Sequence, residues 1–169
     1  MADRVAQLLG VLALVTVDRF RGAVEGGLGR AGAHSAALVH LRAYPDESVQ
    51  ALADVLGVSQ PAAVKIADRL AADGLVTRRT GADRRVRALR LTARGRRAAD
   101  DVVSRRAVAL DEMVAVLDPA DRGALEPLLE KLVAALARDR PAALTVCRLC
   151  DRSTCCGGAN GCPLQHTTA

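Results

Sequence analysis

The chain has no tryptophan, one tyrosine (Tyr44) and one phenylalanine (Phe20) among its 169 residues. Half of the residues are hydrophobic all the same, so a core has to be built from leucine, valine and alanine. Such side chains pack well between helices and suit a β-sandwich less, which points to a mainly α fold. Lysine is almost missing too: of 24 basic residues only Lys65 and Lys131 are lysine. No long hydrophobic run is present. The most apolar stretch, Val5 to Val17, is interrupted by Gln7, followed by Asp18 and Arg19, and too short to cross a bilayer. No secretory leader pattern is visible either. These absences predict a cytoplasmic chain with no membrane partner, in which five cysteines do not make a disulfide framework. An internal repeat, a phosphate-cradling glycine loop and a nucleophile–base pair are also lacking, so no catalytic residues are assigned and an enzyme is not expected.

What is present points to an anionic partner. The net charge is +5 and the pI about 9.3, and the length suits one domain, or one domain with a small appendage. From Ser48 to Thr92 the pattern gives two short helices, a tight turn and a strand–loop–strand. Val49, Leu52, Ala53, Val55 and Leu56 recur at helical spacing behind Ser48 as cap, and Gly57 is a C-terminal stop. Ser59 is the next N-cap, and Pro61 sits in the first turn where its missing N–H is not needed. Ala62, Ala63, Ile66, Ala67 and Leu70 form that helix's inner face, and Gly74 ends it. Two helices joined so tightly read as a helix-turn-helix over 48–74.

Leu75 to Thr80 and Val86 to Thr92 are strand-like, with Gly81-Ala82-Asp83 as turn chemistry between them. The hairpin over 75–92 is then a wing. Between Arg78 and Arg97 there are nine arginines against one acid, Asp83. On its own such a run is an arginine-rich solvated face; behind a helix-turn-helix it matches a phosphate-binding footprint. Ser59, Gln60 and Lys65 fall on the exposed edge of the second helix, where Gln and Lys can reach base edges and Ser a phosphate. Arg78, Arg79, Arg84 and Arg87 are the expected phosphate contacts.

Leu56-Gly57-Val58-Ser59-Gln60, Asp68-Arg69-Leu70, Asp73-Gly74-Leu75-Val76, Asp83-Arg84-Arg85, and Leu91-Thr92 with Gly95 together resemble the MarR family of winged-helix transcription regulators. The wing Asp-x-Arg and the following Leu-Thr-x-x-Gly are the most specific parts, and the resemblance covers about residues 5 to 140. It departs at Pro61 and Val64, where polar residues are more usual, which bears on sequence preference and not on fold. The resemblance implies a homodimer on double-stranded DNA, most often a repressor, with Arg85 entering the minor groove and Asp83 orienting the wing arginines. A dimer presenting two recognition helices one turn of DNA apart implies a near-palindromic operator.

Outside this unit the pattern gives helices over 3–24, broken at Gly26-Gly27-Leu28-Gly29, and 34–44. A long helix begins at Thr92, with Val102, Val103, Ala107, Val108 and Leu110 among its apolar positions. A last helix runs over 119–138, capped by Asp118 and kinked at Pro127. The apolar stripes of the first and last helices are wider than one neighbour covers, which suggests pairing with a second chain. His34 and His40 have no carboxylate or cysteine at metal spacing and are read as ordinary polar positions.

The domain over residues 1–140 is followed by a tail, 141–169, that holds all five cysteines. Cys147 and Cys150 form a C-x-x-C whose thiolates can share one ion; Cys155 and Cys162 complete a four-sulfur set within sixteen residues, with Cys156 spare. One metal site per chain is expected, zinc or an iron–sulfur cluster, the latter suggested by the Cys162-Pro163 ending. His166 is an alternative ligand. Free thiols acting as a redox sensor are the bland reading. The tail is similar to cysteine-bearing tails of some actinobacterial MarR-like regulators. The expected function is a regulator switched by redox, metal or a small ligand through the tail or the dimer interface. The alternatives are a zinc-tail protein-interaction module and a thiol or zinc enzyme.

Overall fold

The computed structural model describes residues 3–28, 32–80, 87–157 and 161–168. Helices α1 (Arg4–Leu28) and α2 (Ala33–Ala43) lead into a two-residue strand, β1 (Glu47–Ser48). The pair α3 (Val49–Leu56) and α4 (Gln60–Ala72) follows, then strands β2 (Val76–Thr80) and β3 (Arg87–Leu91). Two long helices come next, α5 (Ala93–Val114) and α6 (Pro119–Ala134), and the chain closes with α7 (Arg140–Val146), α8 (Arg152–Cys155) and a 3-10 turn over Gln165–Thr168. The expected mainly α winged helix is the observed fold.

The strands form one antiparallel sheet in the order β1-β3-β2, with Glu47 opposite Leu89, Val76 opposite Leu91 and Thr80 opposite Arg87. Ser48 therefore serves twice: its backbone pairs with Ala88 while its hydroxyl accepts the Ala51 N–H at 3.1 Å and caps α3. The core at this end joins Leu38 and Leu41 of α2, Leu52 of α3, Ile66 and Leu70 of α4, and Val76, Leu89 and Leu91 of the sheet. This cluster contains no Phe or Tyr.

Four local expectations change. Helix α1 runs past Gly26-Gly27 to Leu28, since glycine lowers helix propensity without forbidding the helix. Ser59 holds the N-cap backbone position of α4 but makes no capping hydrogen bond with its side chain. On α5, Val102 and Val103 are buried as expected, but Val108 is exposed and Ala109 is buried beside it. The last long helix stops at Ala134 and not near 138, because Asp139 accepts the Ala142 N–H at 2.9 Å and, with Pro141, starts α7.

Candidate nucleic-acid interface

The turn between α3 and α4 is set by Gly57 in the left-handed region, φ 64°, with the Val58 N–H donating to the Ala53 carbonyl at 3.1 Å. This closes the helix pair over one core. Ala63, Ile66, Ala67 and Leu70 face inward and are buried. Ser59, Gln60, Pro61, Val64, Lys65 and Asp68 are exposed. The structure thus brings Ser59, Gln60 and Lys65 to the solvent side of α4, as their spacing implies.

The wing is locked to the end of α4 by the Leu-Thr-x-x-Gly segment. Leu91 is buried in the core. The Thr92 hydroxyl donates to the Gly74 carbonyl at 2.8 Å and accepts the Gly95 N–H at 2.9 Å, which caps α5. The Thr92 N–H donates to the Leu75 carbonyl at 2.9 Å. Gly95 lies so close to that same carbonyl that an added Cβ would sit 1.9 Å from the oxygen. Thr92 and Gly95 therefore fix the angle between α4 and the wing.

The arginine run divides into two kinds. Arg78 pairs with Asp68 of α4 at 2.6 Å, and Arg90 with Asp46, Nε to Oδ1 at 2.8 Å. Arg94 donates to the Asp73 carbonyl at 3.1 Å and Arg96 to the Leu91 carbonyl at 3.3 Å. These four tie the frame together. Arg78 and Asp68 remain partly exposed, and such surface pairs contribute only about 0–1 kcal/mol, so Arg78 can exchange Asp68 for a phosphate. Arg79 is exposed on β2. Asp83, Arg84 and Arg85 lie outside the described residues, as does the side chain of Arg87, whose backbone pairs with Thr80. The sequence reading missed these partners because the carboxylates of Asp46 and Asp68 and the backbone carbonyl of Asp73 lie earlier in the chain and meet the arginines only in the fold.

A second polar group was missed as well. His40 is 3% exposed, and its Nε2 lies 3.1 Å from Glu47 Oε2 in β1. Its ring packs on Tyr44 with centroids 4.9 Å apart. The Arg152 guanidinium lies over the same Tyr44 ring, 4.8 Å from its centroid, and hydrogen-bonds the Tyr44 hydroxyl. An ionic and aromatic line thus runs from the cysteine tail to the strand that pairs with the wing. His40 and Glu47 are seven residues apart, across a turn that helical spacing does not anticipate.

The tail folds back onto the helix pair. Helix α7 packs on α3, and the Thr145 hydroxyl donates to the Asp54 carbonyl at 3.4 Å. Leu149 inserts beside Val24, Val39, Val102 and Val103. All five cysteines are free thiols. A hydrogen bond between Cys147 and Cys150 draws Cys147 below the ordinary thiol range and lifts Cys150 well above it. Cys150 also bonds Cys155, and Arg106 of α5 acts electrostatically on both. Cys147 and Cys162 pack against Ala137, Ala143 and Leu164. His166 is engaged elsewhere, its Nε2 3.1 Å from the Ala137 carbonyl. Asp151 is consumed as a cap: Ser153 and Thr154 donate to it at 2.6 and 2.9 Å, which holds its carboxyl below the usual range. Among the described residues no group of three or more His, Cys, Asp or Glu side chains is arranged so that it could hold a metal ion. A cleft of about 430 Å³ borders this region, lined in part by Val114, Leu117, Leu125, Leu129, Val133 and Cys155. Among the described residues no helix is long and apolar enough to cross a membrane.

Three solved structures show what this arrangement is similar to. A MarR family protein from Bacillus stearothermophilus matches with a TM-score of 0.71 at 22% identity, covering 79% of this chain and 94% of that one. The Mycobacterium tuberculosis protein Rv1404 matches with a TM-score of 0.67 at 24% identity, covering 80% and 95%. The MarR family protein Rv2887 of Mycobacterium tuberculosis, solved in complex with DNA, matches with a TM-score of 0.64 at 24% identity, covering 78% and 98%. No curated protein sequence matches the chain. The sequence model of the MarR family matches residues 27–86, the stretch that holds α2, the helix pair and the start of the wing. The fold of the chain is the MarR winged helix.

Proposed function

We propose that the chain is a DNA-binding transcription regulator, acting as a homodimeric repressor on a near-palindromic operator, and not an enzyme. One observation carries this reading. Ser59, Gln60 and Lys65 stand on the open side of α4, and the Thr92–Gly95 lock holds that helix at a fixed angle to an arginine-bearing wing. A rigid helix edge beside a basic hairpin suits a major groove and its flanking backbone. Rv2887, whose fold this chain shares, has been solved bound to DNA.

In this reading Gln60 and Lys65 read base edges, while Ser59, Arg78, Arg79, Arg84 and Arg87 hold phosphates. Arg85 enters the minor groove, with Asp83 orienting the wing. Pro61 and Val64, exposed between the readers, offer apolar contact to thymine methyl groups. Replacing Arg85 by alanine is expected to weaken operator binding by on the order of 1–3 kcal/mol. Lys65→Ala should change the preferred sequence as well as the affinity. Arg79→Ala should weaken all sequences alike and lower the salt slope by about one. A mobility-shift titration across several salt concentrations reads all three; unchanged curves for Arg85→Ala and Lys65→Ala together would sink these roles.

The switch, in this proposal, enters through the tail. Because α7 rests on α3 and Arg152 on Tyr44, a change at the cysteines reaches the helix pair directly and need not pass through the terminal helices. An enzyme built on the cysteines is disfavoured by the same packing. Asp151, the carboxylate nearest the cysteines in the sequence, is already spent on Ser153 and Thr154, and four thiolates leave an ion no open position for substrate.

A further inference from the structure

We infer that Cys147, Cys150, Cys155 and Cys162 form a four-thiolate site for one thiophilic divalent ion of the zinc class, built on a backbone that the rest of the fold already holds in place. Three separate anchors fix the donors. Leu149, between the first two cysteines, is seated in the cluster of Val24, Val39, Val102 and Val103, and the Cys150 N–H closes the turn on the Cys147 carbonyl at 2.9 Å. Cys155 ends a short turn capped by Asp151, whose neighbour Arg152 is held on Tyr44. Cys162 precedes Leu164, which is buried against Ala137 and Ala143, and the Gln165 N–H donates to the Cys162 carbonyl at 3.0 Å. A segment with so little regular structure of its own has no need of four cysteines to pack these few side chains.

The donors are close without yet being gathered. Cys147, Cys150 and Cys155 touch in series through their thiols. Tetrahedral zinc at about 2.3 Å from each sulfur places its sulfurs about 3.8 Å apart, the separation of thiols in contact. Cys155 is exposed, so rotation about its Cα–Cβ bond brings its sulfur inward without displacing packed neighbours. Binding releases one proton from each of four thiols to solvent, and the ion with four thiolates carries a charge of −2. Arg106 of α5 and Arg152 of the tail supply compensating positive charge. Cys156 is hydrogen-bonded to Cys162 and to none of the other three; in the proposed site Cys162 leaves it for Cys147, Cys150 and Cys155, and Cys156 is not a ligand, while His166 is turned to the Ala137 carbonyl.

The experiment uses the full chain without DNA, so its outcome is independent of the regulatory reading. Reduced, metal-free protein is titrated with cobalt(II) and then zinc(II). The expected result is one cobalt per chain, with the visible bands of a tetrahedral thiolate complex and sulfur-to-cobalt charge transfer, bleached by one equivalent of zinc. Cys150→Ser should weaken zinc binding by at least about 100-fold, whereas Cys156→Ser and His166→Ala should leave it within about twofold. Circular dichroism confirms that each variant keeps its helices. Octahedral cobalt spectra, substoichiometric uptake, equal loss in Cys156→Ser and Cys150→Ser, or iron with a broad visible absorption in anaerobically purified protein would each overturn the assignment.

Discussion

Gly95→Ala is expected to destabilise the protein by about 3 kcal/mol or more, lowering the melting temperature by about 6–12 °C. The reason is steric and local. A Cβ at this position would lie 1.9 Å from the Leu75 carbonyl oxygen and 2.9 Å from its carbon, both backbone atoms that cannot rotate away. That carbonyl also accepts the Thr92 N–H, so pushing it aside breaks the bond that holds the wing's exit strand to the end of α4. The Thr92 cap and its bond to Gly74 are strained by the same displacement. Gly123, inside α6 with nothing within 4 Å of an added Cβ, is the control: Gly123→Ala should be neutral or stabilising by up to about 1 kcal/mol. Calorimetry on the two variants decides the matter. Equal melting temperatures would mean that the close approach at Gly95 has no energetic weight.

The same position shows how far the sequence could be read. Gly95 was legible as part of a motif, but its cause was not, because the Leu75 carbonyl stands twenty residues away and meets it only through the sheet. Capping residues were legible for the opposite reason: Ser48, Thr92 and Asp118 act on N–H groups three positions along the chain, so local pattern suffices. The helix pair and the two paired strands followed from period, while the turn expected at Gly81-Ala82-Asp83 lies outside the described residues. What escaped was every contact between distant polar groups: Arg78 with Asp68, Arg90 with Asp46, His40 with Glu47, and Arg152 with Tyr44. Charge counting treats the arginines as equivalent, whereas the fold assigns Arg78 and Arg90 to carboxylates and Arg94 and Arg96 to backbone carbonyls. The tail was legible as a cysteine cluster, but its seat was not. Leu149 and Thr145 carry no periodic signal that would place them against α1, α2, α3 and α5.

The assembly prediction follows from surface that one chain leaves open. Helix α1 lies along α5 through Phe20 and Val24, with Thr16 reaching Met113 at 3.6 Å. Its other apolar residues face solvent: Val5 and Leu14 are each 70% exposed, and Leu8, Leu9, Val11, Leu12 and Val17 are exposed as well. On α6 and just beyond it, Leu128, Leu129, Leu132 and Leu136 are open in the same way. Together these side chains present roughly 1,000 Å² per chain, or about 2,000 Å² across a symmetric pair, which is the lower range of obligate homodimers. Single-chain proteins rarely leave continuous apolar patches above a few hundred Å². Sedimentation is therefore expected to give a dimer at micromolar concentration. Removing the residues before Gly22 should give a monomer and weaken operator binding by more than about 100-fold, because the second half-site is then no longer bound intramolecularly. Leu12→Glu is the gentler variant, since Leu12 contributes nothing to the buried clusters of its own chain. It should keep the helical content, lose the dimer and lose the operator affinity in parallel, while binding to a single half-site stays close to that of the unmodified chain. A monomeric full chain at micromolar concentration, or a Leu12→Glu protein that still dimerises and binds the operator fully, would rule out these helices as the interface.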